Sequence, residues 1–103
     1  MHPNPSYDLA LFQKLFREDS RYMTGSAKRG SWDVGHCSTD VEECVCDVLR
    51  EQHFYKTMPS QKMPGLWQDV YKVVFKDTAL YVKIQISRGR AVLVSYKMDE
   101  SAP

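Results

Sequence analysis

Cysteine is scarce in this sequence and odd in number, with only Cys37, Cys44 and Cys46. An odd count with no export signal argues against a disulfide framework. The three form no CxxC pair, and with His36 and His53 they lack the spacing of a zinc site, so buried thiols are expected and no metal. Cys44 is expected inside, Cys46 towards the polar side of its helix. Long apolar runs are missing too: none approaches the ~20 residues of a membrane helix. The opening "MHPNPSYDLALF" has no basic segment leading into an apolar one, so it does not read as a secretory leader. Cytoplasm is the expected location, with no membrane contact. Repeats and low-complexity tracts are also absent.

What is present suits one domain over residues 1–103, since single domains commonly run from ~50 to ~250 residues. Hydrophobic residues make up 43% and charged ones 26%, an ordinary globular balance that argues against disorder. The net charge of +1 conceals an asymmetry. Residues 1–51 hold six Lys/Arg against nine Asp/Glu. Residues 52–97 hold eight Lys/Arg against only Asp69 and Asp77. A basic carboxy-terminal half makes a polyanion such as nucleic acid the natural partner, although a solvated lysine-rich sheet face would look the same.

Leu9, Phe12, Leu15 and Phe16 recur at helical spacing within "SYDLALFQKLFRED" (6–19), with Ser6, or Asn4 ahead of Pro5, as the cap. Residues 20–38, broken by three glycines and several serines, are expected as a short strand near Arg21–Thr24 followed by loop. "TDVEECVCDVLREQ" (39–52) predicts a second helix, with Thr39 and Glu42 as a capping box. "HFYKTM" (53–58) follows as a turn or short helical piece, and "PSQKMPG" as a loop. The remainder predicts a three-stranded meander over 66–75, 79–87 and 91–97, then a frayed tail from 98 to 103. In its middle strand Leu80, Val82, Ile84 and Ile86 take one face, and Tyr81, Lys83, Gln85 and Ser87 the other. The expected class is α+β: two amino-terminal helices packed on an antiparallel sheet.

The polar face gathers chemistry. Gln68 shares a strand face with Lys72, and Tyr81 shares one with Lys83. If the hairpins pair simply, Gln68 and Tyr81 come together, with Lys97 at the end of the last strand a candidate to join them and Lys56 within reach. Such a set suits a phosphodiester: lysines for the non-bridging oxygens, a glutamine as directional donor and acceptor, a tyrosine to move a proton. The cofactor-free reaction of this kind is RNA cleavage by its own 2′-hydroxyl. That needs a proton acceptor, a proton donor and charge on the phosphorane. Lys56 fits the charge, and Tyr81 is an acid unless neighbouring cations lower its pKa. His53 is a further candidate base, equally at home as a polar helix-end residue. Phe54, Tyr55, Trp67 and Tyr71 are assigned to packing.

The blocks "HFYKTM", "LWQDVYK", "ALYVKIQI" and "VLVSYK", in this order over residues 53–97, closely resemble the motility quorum-sensing regulator (MqsR) family, toxins of bacterial type II toxin–antitoxin systems. The amino-terminal half is similar more loosely, through a leading helix, a TGSA-like stretch and the helix before FYK. The resemblance implies a RelE-like fold. It also implies a sequence-specific endoribonuclease that cuts mRNA without the ribosome, at a short GC-containing triplet. The family's active-site lysine, glutamine, tyrosine and carboxy-terminal lysine fall on Lys56, Gln68, Tyr81 and Lys97. An antitoxin with a zinc-binding domain and a helix-turn-helix domain is the implied partner. Where the family often carries a histidine, in a PH-x-x-L pattern, this chain reads "PSYDL" with Ser6.

The residues and the resemblance together point to a metal-independent mRNA interferase, with Lys56, Gln68 and Tyr81 at its centre and Lys72, Lys83 and Lys97 supporting the charge. The alternative is a catalytically silent RNA- or partner-binding module on the same fold, which would need the charge but not the tyrosine.

Overall fold

The alternating face of Leu80, Val82 and Ile84 is wholly buried in the computed structural model, which describes residues 4–101. The chain runs α1 (Leu9–Arg17), β1 (Arg21–Met23), α2 (Gly25–Asp33), α3 (Ser38–Glu43), a π turn (Cys44–Val48), a 3-10 turn (Glu51–His53), then β2 (Phe54–Pro59), β3 (Trp67–Phe75), β4 (Thr78–Ser87) and β5 (Arg90–Met98). The class is α+β, as expected. The strands form one five-stranded sheet in the order β1-β5-β4-β3-β2.

The meander follows the sequence. Its two hairpin turns, Lys76-Asp77 and Arg88-Gly89, place both residues at positive φ, which matches the right-handed twist of the strands they join. On one side of the sheet Leu9, Phe12 and Phe16 of α1 join Val41, Cys44, Val45 and Leu49 against Tyr71, Val73, Leu80, Val82, Ile84, Leu93 and Tyr96. Each large side chain buried here contributes about 1.5–3 kcal/mol.

Five local expectations are corrected. α1 begins at Leu9 and is capped by Asp8 rather than by Ser6 or Asn4, because the Asp8 carboxylate accepts the Ala10 N–H at 3.0 Å. Residues 25–33 are helix rather than loop. Thr24 caps them by accepting the Ala27 N–H at 3.1 Å, and Gly30 lies against the Tyr96 carbonyl with no room for a Cβ. Tertiary packing thus overrides the poor helix propensity of a glycine-rich segment. The second expected helix stops at Glu43 and widens into the π turn, which rotates Cys46 inward beside Cys44. Its start is held by the Asp40 carboxylate, which accepts the Cys37 N–H at 3.1 Å, while Glu42 pairs with Arg21 at 2.7 Å. Burial pushes both inner thiols up to about 11, so neither is reactive at neutral pH.

The sheet is mixed rather than antiparallel, since β1 pairs parallel with β5. "HFYKTM" supplies an edge strand, β2, antiparallel to β3. β5 continues through Met98, and the Asp99 N–H donates to the Ala79 carbonyl at 2.8 Å. No helix is long and apolar enough to cross a membrane among the described residues.

Candidate active site

Strand register turns the outer sheet face, away from α1 and α3, into rows. Lys72, Tyr81 and Lys97 stand side by side on β3, β4 and β5. The next row is Lys56, Val70, Lys83 and Ser95. The third runs from Met58 through Gln68 and Gln85 to Val92, and the Gln68 Nε2 donates to the Gln85 Oε1 at 3.2 Å.

Two β-bulges create this arrangement. In β2, Phe54 opposes Tyr71 and Lys56 opposes Val70, so Tyr55 is the extra residue. Phe54 therefore packs inward on Tyr71, with ring centres 5.7 Å apart, while Lys56 emerges on the outer face. In β5, Leu93 opposes Ile84 and Ser95 opposes Lys83, which makes Val94 the extra residue. Simple alternation from Leu93 would have turned Lys97 inward and Tyr96 outward. The bulge reverses both: Tyr96 is fully buried and Lys97 faces Tyr81. Re-aiming side chains is what bulges do near functional sites.

Lys56, Lys72, Tyr81, Lys97 and Tyr55 line one open hollow of about 300 Å³. The Nζ of Lys97 lies 5.3 Å and that of Lys83 5.9 Å from the centre of the Tyr81 ring. Lys72 holds its Nζ 4.0 Å above the Tyr55 ring and donates to the Ser101 Oγ at 2.9 Å. Tyr55 is half exposed, against the expectation that it packs inside. Trp67 is exposed to a similar degree, whereas Tyr71 is buried as expected.

The environment sets the protons. Partial burial, reinforced by Tyr55 and Asp99, raises the Tyr81 pKa, so its hydroxyl stays protonated and the nearby lysines do not make it a base. Lys83 is shifted the other way: burial first, then the charges of Lys97 and Lys56, lower its pKa. The cluster therefore holds a firmly protonated phenol beside an ammonium that gives up its proton more readily than usual.

The structure brings Lys56, Tyr81, Lys97, Lys72 and Lys83 together, with Gln68 one row further along. His53 shares a hollow with Lys72 but does not line the one that holds Lys56, Tyr81 and Lys97. Its Nδ1 accepts the Arg50 N–H at 2.9 Å, and it borders a separate hollow with Val74 and Ala79. His36 is a core residue whose Nδ1 meets the Tyr96 hydroxyl at 2.7 Å. No group of three His, Cys, Asp or Glu side chains forms a metal cage among the described residues.

Ser6, which stands where the resemblance implied a histidine, bonds elsewhere. Its N–H donates to Asp69 at 3.0 Å and its hydroxyl meets Thr57 at 2.7 Å. Asp69 and Thr57 alternate with Gln68 and Lys56 along their strands, so both point away from the cluster. Tyr55 and Gln85 are the neighbours that the sequence reading missed. Gln85 was legible from its parity with Tyr81 and Lys83; Tyr55 was hidden by the bulge.

No curated protein matches this chain. A protein-family model, described as motility quorum-sensing regulator, toxin of MqsA, matches residues 4–98. That span includes both bulges and every residue of the cluster described above, and the chain belongs to this family of toxins, whose partner is an antitoxin.

Proposed function

We propose that this toxin is a metal-independent endoribonuclease that cuts messenger RNA at a short sequence without the ribosome. The observation that carries the reading is the convergence of Lys56, Lys97 and Tyr81 on one solvent-open hollow with Lys83 alongside. A binding surface needs the lysines. A phenol held protonated between them is what phosphodiester cleavage needs in addition.

In the proposed reaction the 2′-hydroxyl oxygen attacks the adjacent phosphorus, and the bond from phosphorus to the 5′ oxygen breaks. Lys83, whose ammonium is disfavoured by burial and by its cationic neighbours, accepts the 2′ proton as a neutral amine. Tyr81 donates its proton to the leaving 5′ oxygen. Lys56 and Lys97 stabilise the charge on the non-bridging oxygens, while Lys72, paired with Asp99 at 3.6 Å, supports the edge of the hollow. Gln68 orients the RNA. The products are a 2′,3′-cyclic phosphate and a 5′-hydroxyl, with no metal or cofactor in the balance. Family likeness extends the reading to a GC-containing triplet, a cytoplasmic setting and a zinc-binding, helix-turn-helix antitoxin.

The test is cleavage of a long defined RNA by purified protein in EDTA, beside Lys56→Ala and Tyr81→Phe. Cuts at a recurring short sequence with cyclic phosphate ends, lost in both variants, are expected. RNA that stays bound but intact would instead mark a silent binding module. Equal cutting by all three proteins would refute this site.

A further inference from the structure

Beside the lysine and tyrosine cluster, the same sheet face holds a second hollow of about 370 Å³. Its floor carries Gln68 and Gln85, and Gln85 is only 6% exposed. Burying an amide is costly unless its hydrogen bonds are met. Among the described residues Gln85 has one such bond, accepted from Gln68 at 3.2 Å. The Gln85 amino group and the Gln68 carbonyl have no protein partner among the described residues and open to the solvent of the hollow. An amide turned end for end exchanges these roles, so either orientation of the pair leaves one donor and one acceptor.

The walls differ from the floor. Met58 of β2 and Met63 of the following loop supply polarizable apolar surface, and Val92 faces them from β5. The loop is tied in place without a ligand: the Ser60 N–H donates to the Leu66 carbonyl at 2.8 Å, and the Met63 N–H donates to the Ser60 Oγ at 3.2 Å. Lys83 borders this hollow and lies against Tyr81, which lines the other.

We propose that this second hollow holds the nucleobase next to the phosphate gripped by the cluster, reading its edge with the Gln68–Gln85 pair and so selecting the sequence that is cut. The assignment rests on the endoribonuclease reading and adds a recognition site to it. A paired donor and acceptor matches a base edge, because each base edge offers a distinctive set of donors and acceptors. Lys83 and Lys62 border the hollow and suit the flanking phosphates, whereas the paired donor and acceptor on the floor suit a base edge. Unstacked bases in single-stranded RNA are held in this way, edge bonded and faces covered.

The test uses short RNAs with 2′-O-methyl riboses, which bind but cannot be cut, in a set differing by one base at a time. The wild-type protein should prefer one base at one position by about ten-fold or more, the scale of one good edge contact. Gln85→Leu should flatten that preference. Gln85→Glu, which keeps the shape but replaces the amino group by an acceptor, should move it to another base, and it decides the matter if Gln85→Leu fails to fold. Lys56→Ala should weaken all the RNAs alike. Wild-type binding indifferent to base, or an unchanged preference in Gln85→Glu, would overturn the pocket and leave the nuclease reading standing. No binding of any RNA would overturn both.

Discussion

Tyr81 and Lys97 stand opposite each other on β4 and β5, with the lysine Nζ 5.3 Å from the centre of the ring. They meet because of one extra residue, Val94. Without it the core would lose Tyr96 and the outer face would lose Lys97. One device thus serves packing and site together, as does the Tyr55 bulge, which sends Phe54 inward and Lys56 outward.

Removing only the Tyr81 hydroxyl, in Tyr81→Phe, is expected to slow RNA cleavage by about 10²–10⁴-fold, the usual worth of a positioned acid. RNA affinity should hardly change, because the ring and the lysines remain. Single-turnover rates and binding of uncuttable RNA, measured side by side, separate the two. A matching loss of affinity would show that the hydroxyl binds rather than donates.

The pH profile of cleavage follows from the two shifted groups. Lys83 is lowered from 10.5, so its neutral form, and the rate, should grow as pH rises through a value below the ordinary lysine range. Tyr81 is raised from 10.0, so the rate should fall only when pH exceeds the ordinary tyrosine range. Lys83→Arg keeps the charge but cannot release its proton at these pH values. It should abolish the rising limb and lower the rate while retaining RNA binding. A variant with the same rising limb as the wild type would assign that limb to another group.

Asp69 ties down the amino-terminal segment. It is fully buried and accepts the N–H groups of Ser6 and Tyr7 at 3.0 and 2.9 Å. Asp69→Ala should cost roughly 1.5–3 kcal/mol in urea unfolding, since two part-buried hydrogen bonds to its side-chain oxygens are lost. Ser6→Ala removes only an exposed hydroxyl contact and should stay within about 0.5 kcal/mol of the wild type. Cleavage should be unchanged in Ser6→Ala, because Ser6 lies away from the cluster. Lost cleavage in a folded Ser6→Ala protein would contradict that placement.

Acid stability should depend on Asp40. Its hydrogen bond from Lys76 at 2.6 Å, with those from Cys37, lowers its carboxyl from 3.8 to about 2. A depressed carboxyl stabilises the fold fully above its unfolded value and loses that contribution as pH falls through the folded one. The loss should therefore fall between about pH 4 and pH 2. Asp40→Asn should be less stable at neutral pH and show a shallower decline over that window. Urea midpoints at half-unit pH steps test this, and parallel declines in the two proteins would exclude Asp40 as the source.

The meander was legible because a strand buried on one side must alternate. Leu80, Val82 and Ile84 declare the inner face, and Tyr81, Lys83 and Gln85 the outer one. α1 was legible for the same reason at helical period. By contrast, α2 depends on Gly30 meeting the β5 backbone, and the π turn at Cys44–Val48 on what the core accepts. Neither leaves a periodic trace. Thr24, three residues before Ala27, was the one local sign of a helix start.

By itself, the sequence determined the class, the hairpins, the basic outer face and the resemblance to a toxin family, because alternation, turn chemistry and charge are local properties. Tertiary structure alone decided that Lys56 and Lys97 join Tyr81 on that face. A bulge changes parity only when two strands settle their register against a shared core, and that core took Phe54 and Tyr96 inward. Nothing local to either lysine determines which way it points.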